Sequence, residues 1–196
     1  MPTDDLSRCS TRRLEVTAAL HRMAGVTLIE LVVTLSIAAV LMSIAIPSFQ
    51  NIIAINRLAA LTNELSGALQ LARSEAVTRS KTVTVCKSND VSDSTPSCNT
   101  SAAWQNGWVV FVDDDNDGTL DSGELALRVG QPSSANAVIT VGTNFANYVK
   151  FKSDGQSEGS SSNIGTGTLS ICMTPNQRNI ILNQVGRLRI ESGTCP

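Results

Sequence analysis

Residues 26–46 read VTLIELVVTLSIAAVLMSIAI, and this stretch decides the architecture of the chain. Its only charged side chain is Glu30. A helix needs about 20 predominantly apolar residues to cross the hydrocarbon core of a bilayer. The stretch is therefore predicted to be a transmembrane helix.

The segment before this stretch differs from a secretory signal peptide. A signal peptide is cleaved after its apolar run, whereas here the small-residue junction with a basic flank, Arg22-Met23-Ala24-Gly25, precedes the run. Cleavage at that junction would leave the apolar segment attached to the mature chain. Together with the following Val26-Thr27-Leu28-Ile29-Glu30, the junction resembles the prepilin peptidase site of type IV pilins and type II secretion pseudopilins.

That resemblance implies processing of the N terminus. It predicts cleavage after Gly25, removal of residues 1–25 as a leader, and N-methylation of Val26, where the family usually has phenylalanine. In this family the mature chain has a glutamate at its fifth position and a helix-bending proline at position 22. These positions fall on Glu30 and Pro47. Prepilin peptidase and other pilin or pseudopilin subunits are the implied partners.

Glu30 also has a physical reason to seek a partner. A carboxylate within a membrane costs about 2.5–3.5 kcal/mol on insertion scales. The α-amine of Val26 released by cleavage would compensate it, and in a filament the resemblance assigns that amine to a neighbouring subunit. The alternative is a glutamate that snorkels to the interface. Pro47 either bends the helix or marks its exit from the membrane.

Basic residues predict the orientation of the chain in the membrane. They cluster before the apolar stretch, whereas Arg57 alone lies soon after it; those before it are Arg8, Arg12, Arg13 and Arg22. We expect a single-pass protein of the bacterial inner membrane with a cytoplasmic N terminus and a periplasmic head.

Residues 47–80 are predicted to continue the helix as an amphipathic half. Apolar residues recur there at spacings of three or four, which is the period of one helix face. This stripe is expected to pack on the head, and it consists of Ile52, Ile55, Leu58, Leu61, Leu65, Leu69, Ala72 and Ala76.

Residues 81–196 are predicted to form a β-rich head. From Lys81 the pattern alternates, as in Thr82-Val83-Thr84-Val85, and turn residues separate the apolar runs. The strands are expected at 82–85, 107–112, 125–129, 137–141, 148–152, 168–172, 179–182 and 188–191. Residues 158–167, rich in glycine and serine, are expected to be a connection. The fold class is therefore α+β, with a long helix packed on antiparallel sheets.

Four cysteines lie in the predicted mature chain, while Cys9 lies in the leader. An even number in an exported chain indicates disulfides. Three pairings are possible, and we favour Cys86 with Cys98 and Cys172 with Cys195 because each pair brackets one local excursion. Four buried thiols are the alternative.

Several runs in the head resemble the pseudopilin H and FimT group of minor pilins. They are residues 107–113 (GWVVFVD) with 123–125 (GEL), residues 151–155 (FKSDG), residues 169–172 (LSIC) and Gly186-Arg187. With the N-terminal motif, the resemblance covers most of residues 22–191. It implies a pilin-like fold.

The acidic run that begins at Asp113 matches the spacing of a calcium-binding loop. Oxygen ligands at these offsets suit calcium; the candidates are Asp113, Asp115, Asp117, Thr119, Asp121 and Glu124. The predicted flanks are strands and not the helices of an EF-hand, so a solvated turn without a metal is the alternative. No cofactor is required by the sequence.

The C-terminal Gly186-Arg187-Leu188-Arg189 is the candidate binding site. Strand alternation predicts Arg187 and Arg189 on one face, with Leu188 and Ile190 pointing into the core. Paired guanidiniums can bind phosphates. The run resembles the Gly-Arg-x-Arg of FimT-type pilins, which is associated with capture of double-stranded DNA in natural transformation; Arg178 is a possible further contact.

The alternative is that these arginines have no ligand and only prevent an edge strand from pairing with a strand of another molecule. Glu191 is expected on the same face, where it would weaken the basic patch. The formal net charge of -2 hides an uneven distribution, because outside the acidic loop the predicted mature chain has 11 basic and 8 acidic residues.

Catalysis is not expected, because the lone histidine, His21, lies in the leader and no nucleophile and base are paired. Trp104 and Trp108 could stack on bases but are more typical of a core. Two functions therefore remain open: a DNA-binding minor pilin of a type IV pilus, or an assembly subunit, either pseudopilin H of type II secretion or a pilus-priming pilin.

Overall fold

The structure is a computed structural model in which residues 25–92, 95–131, 136–161 and 164–196 are described. The predicted leader up to residue 24, with Cys9, His21 and its four arginines, lies outside these ranges. The described residues divide into two units, with the boundary in the chain between Ile44 and Ala45.

One long helix, α1 (Leu28–Arg79), runs through the predicted transmembrane and amphipathic segments. Thr27 caps its start, since the Thr27 hydroxyl oxygen accepts a hydrogen bond of 3.3 Å from the Glu30 N–H. The helix ends where Ser80 takes a left-handed φ of 55°. An 18-residue window of α1 has a mean hydropathy of 2.4 and no buried residues, so its length and composition suit a membrane span.

The amphipathic stripe is shorter than the sequence predicts. Leu58 and the stripe residues that follow it are buried against the sheets. Ile52 and Ile55 are 52% and 38% exposed, so the prediction that they pack on the head is wrong. Helical periodicity identifies an apolar face, but it does not reveal where along the helix the head begins.

The head contains nine strands within the described ranges, all paired antiparallel. They are β1 (Val83–Lys87), β2 (Trp108–Val112), β3 (Ala126–Gly130), β4 (Val138–Val141), β5 (Tyr148–Phe151), β6 (Ser157–Gly159), β7 (Gly167–Met173), β8 (Asn176–Leu182) and β9 (Leu188–Thr194). One sheet has the order β3-β2-β1-β5-β6 and the other β4-β7-β8-β9. The α+β prediction is confirmed.

Strand β6 lies where the sequence predicts the start of a connection. Its backbone pairs with β5, with Lys150 opposite Glu158. The Ser157 hydroxyl lies 2.8 and 2.7 Å from the carbonyl oxygens of Gly165 and Asn183, between which it shares its one proton. A polar, glycine-rich segment therefore forms a strand because tertiary hydrogen bonds outweigh its low β propensity.

Both tryptophans belong to the core, as the sequence favours over stacking on bases. Trp108 is fully buried and Trp104 is 2% exposed. The Trp104 indole N–H donates to the Phe145 carbonyl oxygen at 3.1 Å. Neither ring is available to stack on a base.

Two disulfides join the cysteine pairs that the sequence favours, Cys86 with Cys98 and Cys172 with Cys195. The first closes a loop organised by Asp90. Its carboxylate accepts hydrogen bonds from the Ser88 hydroxyl and from both the N–H and the hydroxyl of Ser97. Burial raises the pKa of Asp90, but these hydrogen bonds outweigh burial and hold the pKa below its usual value.

Candidate functional site

The N-terminal motif residues lie at the exposed start of α1. Val26 is 67% exposed, and Glu30 lies in the first turn of the helix. Among residues 25 and beyond that the structure describes, Glu30 has no ion-pair partner. Pro47 lies within α1, which continues on both sides of it. Cleavage after Gly25 and methylation of Val26 stay predictions.

The C-terminal candidate site is a tight turn between β8 and β9. The Asn183 N–H donates to the Arg187 carbonyl oxygen at 3.2 Å, and the Gly186 N–H donates to the Asn183 carbonyl oxygen at 2.9 Å. The Asn183 side-chain oxygen accepts the Arg187 N–H at 2.8 Å. Asn183 therefore hydrogen-bonds to both the carbonyl oxygen and the N–H of Arg187, and these two bonds close the turn.

Gly186 is required in this turn for two separate reasons. Its φ of +75° lies in the left-handed region that favours glycine. A Cβ at this position would lie 2.2 Å from the Gly155 carbonyl oxygen and 2.7 Å from Nε of Arg73. The turn is packed against the neighbouring 152–156 turn and against α1.

Arg73 of α1 is a residue of this site that the sequence analysis did not identify. Its Nε donates to the Gly155 carbonyl oxygen at 3.1 Å, and its Nη2 donates to the Val185 carbonyl oxygen at 2.9 Å. One half-buried guanidinium thus ties two turns to the helix. The sequence shows only a polar residue outside the apolar stripe, which gives no signal for contacts 82 and 112 residues away.

Arg187 and Arg189 lie together beside this turn. Both line one surface depression with Ile181 and Asn183, and both are exposed. Arg187 also lines a cleft with Arg73 and Asp154. Within the described part of the chain, Arg187 forms no salt bridge.

Glu191 faces the same side of β9 and neutralises part of the patch, as the alternation predicts. Its Oε1 lies 3.0 Å from Nη2 of Arg189, and both side chains are largely exposed. Exposed pairs of this kind contribute about 0–1 kcal/mol. The pair therefore restrains Arg189 only weakly.

Two details of the predicted site are wrong. Ile190 lies opposite the buried Ile180 and so faces the core side as predicted, but it is not buried: it is 39% exposed on β9, an edge strand of the sheet. Arg178 pairs with Ser192, whereas Arg189 pairs with Ile181. Since residues three apart on β8 face opposite sides of the sheet, Arg178 lies on the other face from Arg189 and does not extend the patch.

The acidic loop connects β2 to β3 on the other sheet. Asp113 is 1% exposed, and its Oδ2 accepts hydrogen bonds from the Thr84 hydroxyl at 2.6 Å and from the Gly118 N–H at 3.1 Å. Burial raises the pKa of Asp113, while the Thr84 hydrogen bond and the charge of Lys150 act in the opposite direction. The ammonium of Lys150 donates to the Asn116 carbonyl oxygen.

Comparisons with known proteins agree with this architecture. The family model of the type II transport protein GspH matches residues 61–186, more than half of the chain. The model of the prokaryotic N-terminal methylation motif matches residues 20–46. No curated protein sequence matches the chain.

Two solved structures are also similar. The P21 crystal structure of the type IV minor pilin FimU of Pseudomonas aeruginosa has a TM-score of 0.50 and 23% identity, and the match covers 69% of this chain and 89% of that one. The P65 crystal form has a TM-score of 0.47 and 22% identity over 68% and 92% of the two chains. At this identity the first match shows the fold, which is pilin-like.

Proposed function

The chain belongs to the family of the type II transport protein GspH, and from this premise we propose that it is a minor pilin that binds double-stranded DNA through Arg187 and Arg189. Membership of the family implies assembly with other pilin subunits and processing by prepilin peptidase. Its members are structural subunits and not enzymes. What we propose beyond family membership is that the chain belongs to a type IV pilus and that its ligand is DNA.

The observation that carries the proposal is the presentation of Arg187 and Arg189 around one depression beside a rigid turn. Asn183 fixes the turn internally, and Arg73 fixes it to α1. The guanidiniums of Arg187 and Arg189 take no part in holding the turn, so Arg187 is available to an anion, and Arg189 is restrained only by its exposed pair with Glu191. Guanidinium groups bind phosphate oxygens with charge-assisted hydrogen bonds.

Double-stranded DNA fits such a surface better than a small anion would. Both arginines are exposed at the protein surface, whereas small ligands are held in enclosed pockets. Phosphates repeat along the duplex and can engage both arginines at once without reading bases. Binding is therefore proposed to be independent of sequence, with a role in DNA uptake during natural transformation.

The test is retardation of a DNA duplex by the full chain in a nonionic detergent. At about 0.1 M salt each lost phosphate contact weakens binding roughly tenfold, so Arg187→Gln with Arg189→Gln should weaken it about a hundredfold. The matched control, Arg79→Gln with Arg128→Gln, removes the same charge from arginines outside the patch and should bind as the wild type does. Equal weakening in both double variants would refute a local site.

A type II secretion role is the second candidate, and the GspH description of the matching family favours it. In that case the subunit would assemble through α1 and the arginine pair would be dispensable. A deletion strain distinguishes the two. If the deletion strain loses exoprotein secretion but is still transformed, the secretion role is supported. If the deletion strain and the strain with the double glutamine variant both lose transformation, DNA binding is supported.

We further propose that the chain is anchored in the inner membrane by residues 26–46, with the leader in the cytoplasm and the head in the periplasm. The apolar start of α1 and the distribution of basic residues around it support this orientation. A reporter fused after Pro196 should be active only as a periplasmic enzyme, and activity of a cytoplasmic reporter at that position would contradict it.

A further inference from the structure

The loop between β2 and β3 gathers carboxylates around one point. Asp113, Asp115 and Asp117 each offer an oxygen, and the three oxygens lie within 4.8 Å of one another. Three carboxylates that converge this closely repel one another unless a cation lies between them. Acidic side chains alone do not define a site, so the state of each oxygen matters.

Asp113 gives the second, independent observation. Although its side chain is almost completely buried, its Oδ1 accepts no hydrogen bond from any part of the chain that the structure describes. The other oxygen, Oδ2, is occupied by Thr84 and Gly118. A buried carboxylate oxygen without a partner is costly, and a metal ion would satisfy it.

The loop backbone is already shaped for such an ion. Asn116 and Gly118 have φ values of +66° and +84°, which curve the chain around the carboxylates. Asp115 Oδ1 accepts the Asp117 N–H at 3.2 Å, and Asp117 Oδ1 accepts the Thr119 N–H at 2.6 Å. The side chains are thereby oriented before any ion binds.

Glu124 closes the loop from its far end. Its Oε1 accepts the Asp114 N–H at 2.8 Å, and its Oε2 accepts the Asp121 N–H at 2.9 Å. Each carboxylate oxygen has two lone pairs, so both oxygens keep the capacity to ligate. The last carboxylate of the motif is thus fixed to the backbone of the same loop.

Two lysines lie near the acidic loop, and neither neutralises the carboxylates at the ligand positions. Lys81 pairs with Asp114, at 2.8 Å, which is not one of the motif's ligand positions. Lys150 donates to a carbonyl oxygen of the loop and lies 4.9 Å from the centre of the Tyr148 ring. Residues 113–124 carry six acids, so the loop remains strongly anionic.

We propose that residues 113–124 bind one calcium ion in a loop held by strands instead of helices. The ligands are carboxylate oxygens of Asp113, Asp115, Asp117 and Glu124, the main-chain carbonyl oxygen of Thr119, and Asp121 through water, as the spacing requires. The flanking helices of an EF-hand are replaced here by β2 and β3, with Thr84 of β1 bracing Asp113. This inference does not depend on DNA binding.

Calcium titration of the full chain in nonionic detergent tests the proposal, with thermal unfolding followed by the fluorescence of the two buried tryptophans. Extracellular calcium modules have dissociation constants of about 10⁻⁴–10⁻³ M. At about 5 mM calcium the midpoint should therefore rise by roughly 2–9 °C above that in chelator. Magnesium at the same concentration should give a much smaller rise, since it prefers a tighter octahedral site.

Asp115→Asn with Asp117→Asn is the informative variant, because both side chains are exposed and the amide oxygen of asparagine can still accept their hydrogen bonds from the loop backbone. It should lose the calcium-dependent rise, while its midpoint in chelator should be equal to or above that of the wild type, because two mutually repelling charges are removed. Asp114→Asn is the control for a lower loop charge: it removes a carboxylate from the same loop at a position that is not a ligand and should keep the rise, whereas Asp115→Asn alone, which removes the same charge at a ligand position, should diminish it. The proposal is overturned by an absent rise in the wild type, an equal rise with magnesium, or an undiminished rise in the double variant.

Discussion

Replacing Gly186 with alanine tests how the turn that presents the arginine pair is held. Two costs add at this position. Placing a residue with a Cβ at a φ of +75° costs about 1–2 kcal/mol. The new Cβ would also lie 2.2 Å from the Gly155 carbonyl oxygen, and relief of such overpacking costs about 1–3 kcal/mol. Gly186→Ala should therefore lower the free energy of unfolding by about 2–5 kcal/mol.

Gly123→Ala provides a control with a positive φ but without a clash. Gly123 has a φ of +106°, and a Cβ there would meet nothing within 4 Å. The loss of unfolded-state entropy on going from glycine to alanine is common to both variants and cancels in the comparison. Since +106° lies farther than +75° from the left-handed region that L residues adopt, any excess destabilisation of Gly186→Ala is a lower limit on the cost of the contact with Gly155 and Arg73.

Thermal unfolding of the full chain in detergent, followed by tryptophan fluorescence, measures this difference. For a domain of this size each kcal/mol corresponds to about 2–4 °C. Gly186→Ala should melt about 4–20 °C below the wild type. A midpoint equal to that of the wild type would show that the turn is not packed against the 152–156 turn and α1, and the reasoning about a rigid presentation of Arg187 would fail.

Three further predictions concern charge, covalent and pH effects. Glu191→Gln should release Arg189 and strengthen DNA binding about two- to fivefold, and weaker retardation of the duplex would contradict it. Cys172→Ser with Cys195→Ser opens a loop with a sequence separation of 23 and should lower the free energy of unfolding by about 3 kcal/mol; a reductant should then lower the melting midpoint of the variant by less than that of the wild type, because only Cys86–Cys98 remains to be reduced, and an equal fall in both would contradict it. Because the pKa of Asp90 is lowered in the folded state, its stabilising contribution is present above the unfolded pKa of about 3.9 and is lost as the pH falls through the folded pKa. Asp90→Asn should flatten this acid limb of a pH series of melting curves, and an unchanged limb would refute the assignment.

The sequence predicts the fold well because its strongest patterns are local. The apolar run from Val26, the alternation around Val83 and the buried Trp108 each follow from periodicity and composition. Strand β6 and the exposed Ile52 do not, because one depends on hydrogen bonds to distant carbonyls and the other on where the head begins. Neither the distant hydrogen-bond partners nor the start of the head can be predicted from a short stretch of sequence.

The candidate site shows the same division. The spacing of Arg187 and Arg189 predicts that they share a face, and Glu191 follows from the same alternation. Arg73 could not be found this way, because its partners are brought to it only by the tertiary fold. Arg178 was misplaced because its face depends on the register of β8 against β9, which the turn sets.

The salt dependence of DNA binding tests the proposed function most directly. Each phosphate contact contributes a slope of about 0.9 to the fall of log K with log salt concentration on duplex DNA. For the full chain, Arg187→Gln with Arg189→Gln should reduce the slope by about 1.8 relative to the wild type, while Arg79→Gln with Arg128→Gln should leave it unchanged. A slope that is the same in the wild type and in the Arg187 and Arg189 double variant would contradict the account, because it would mean that these two arginines release no counterions from DNA.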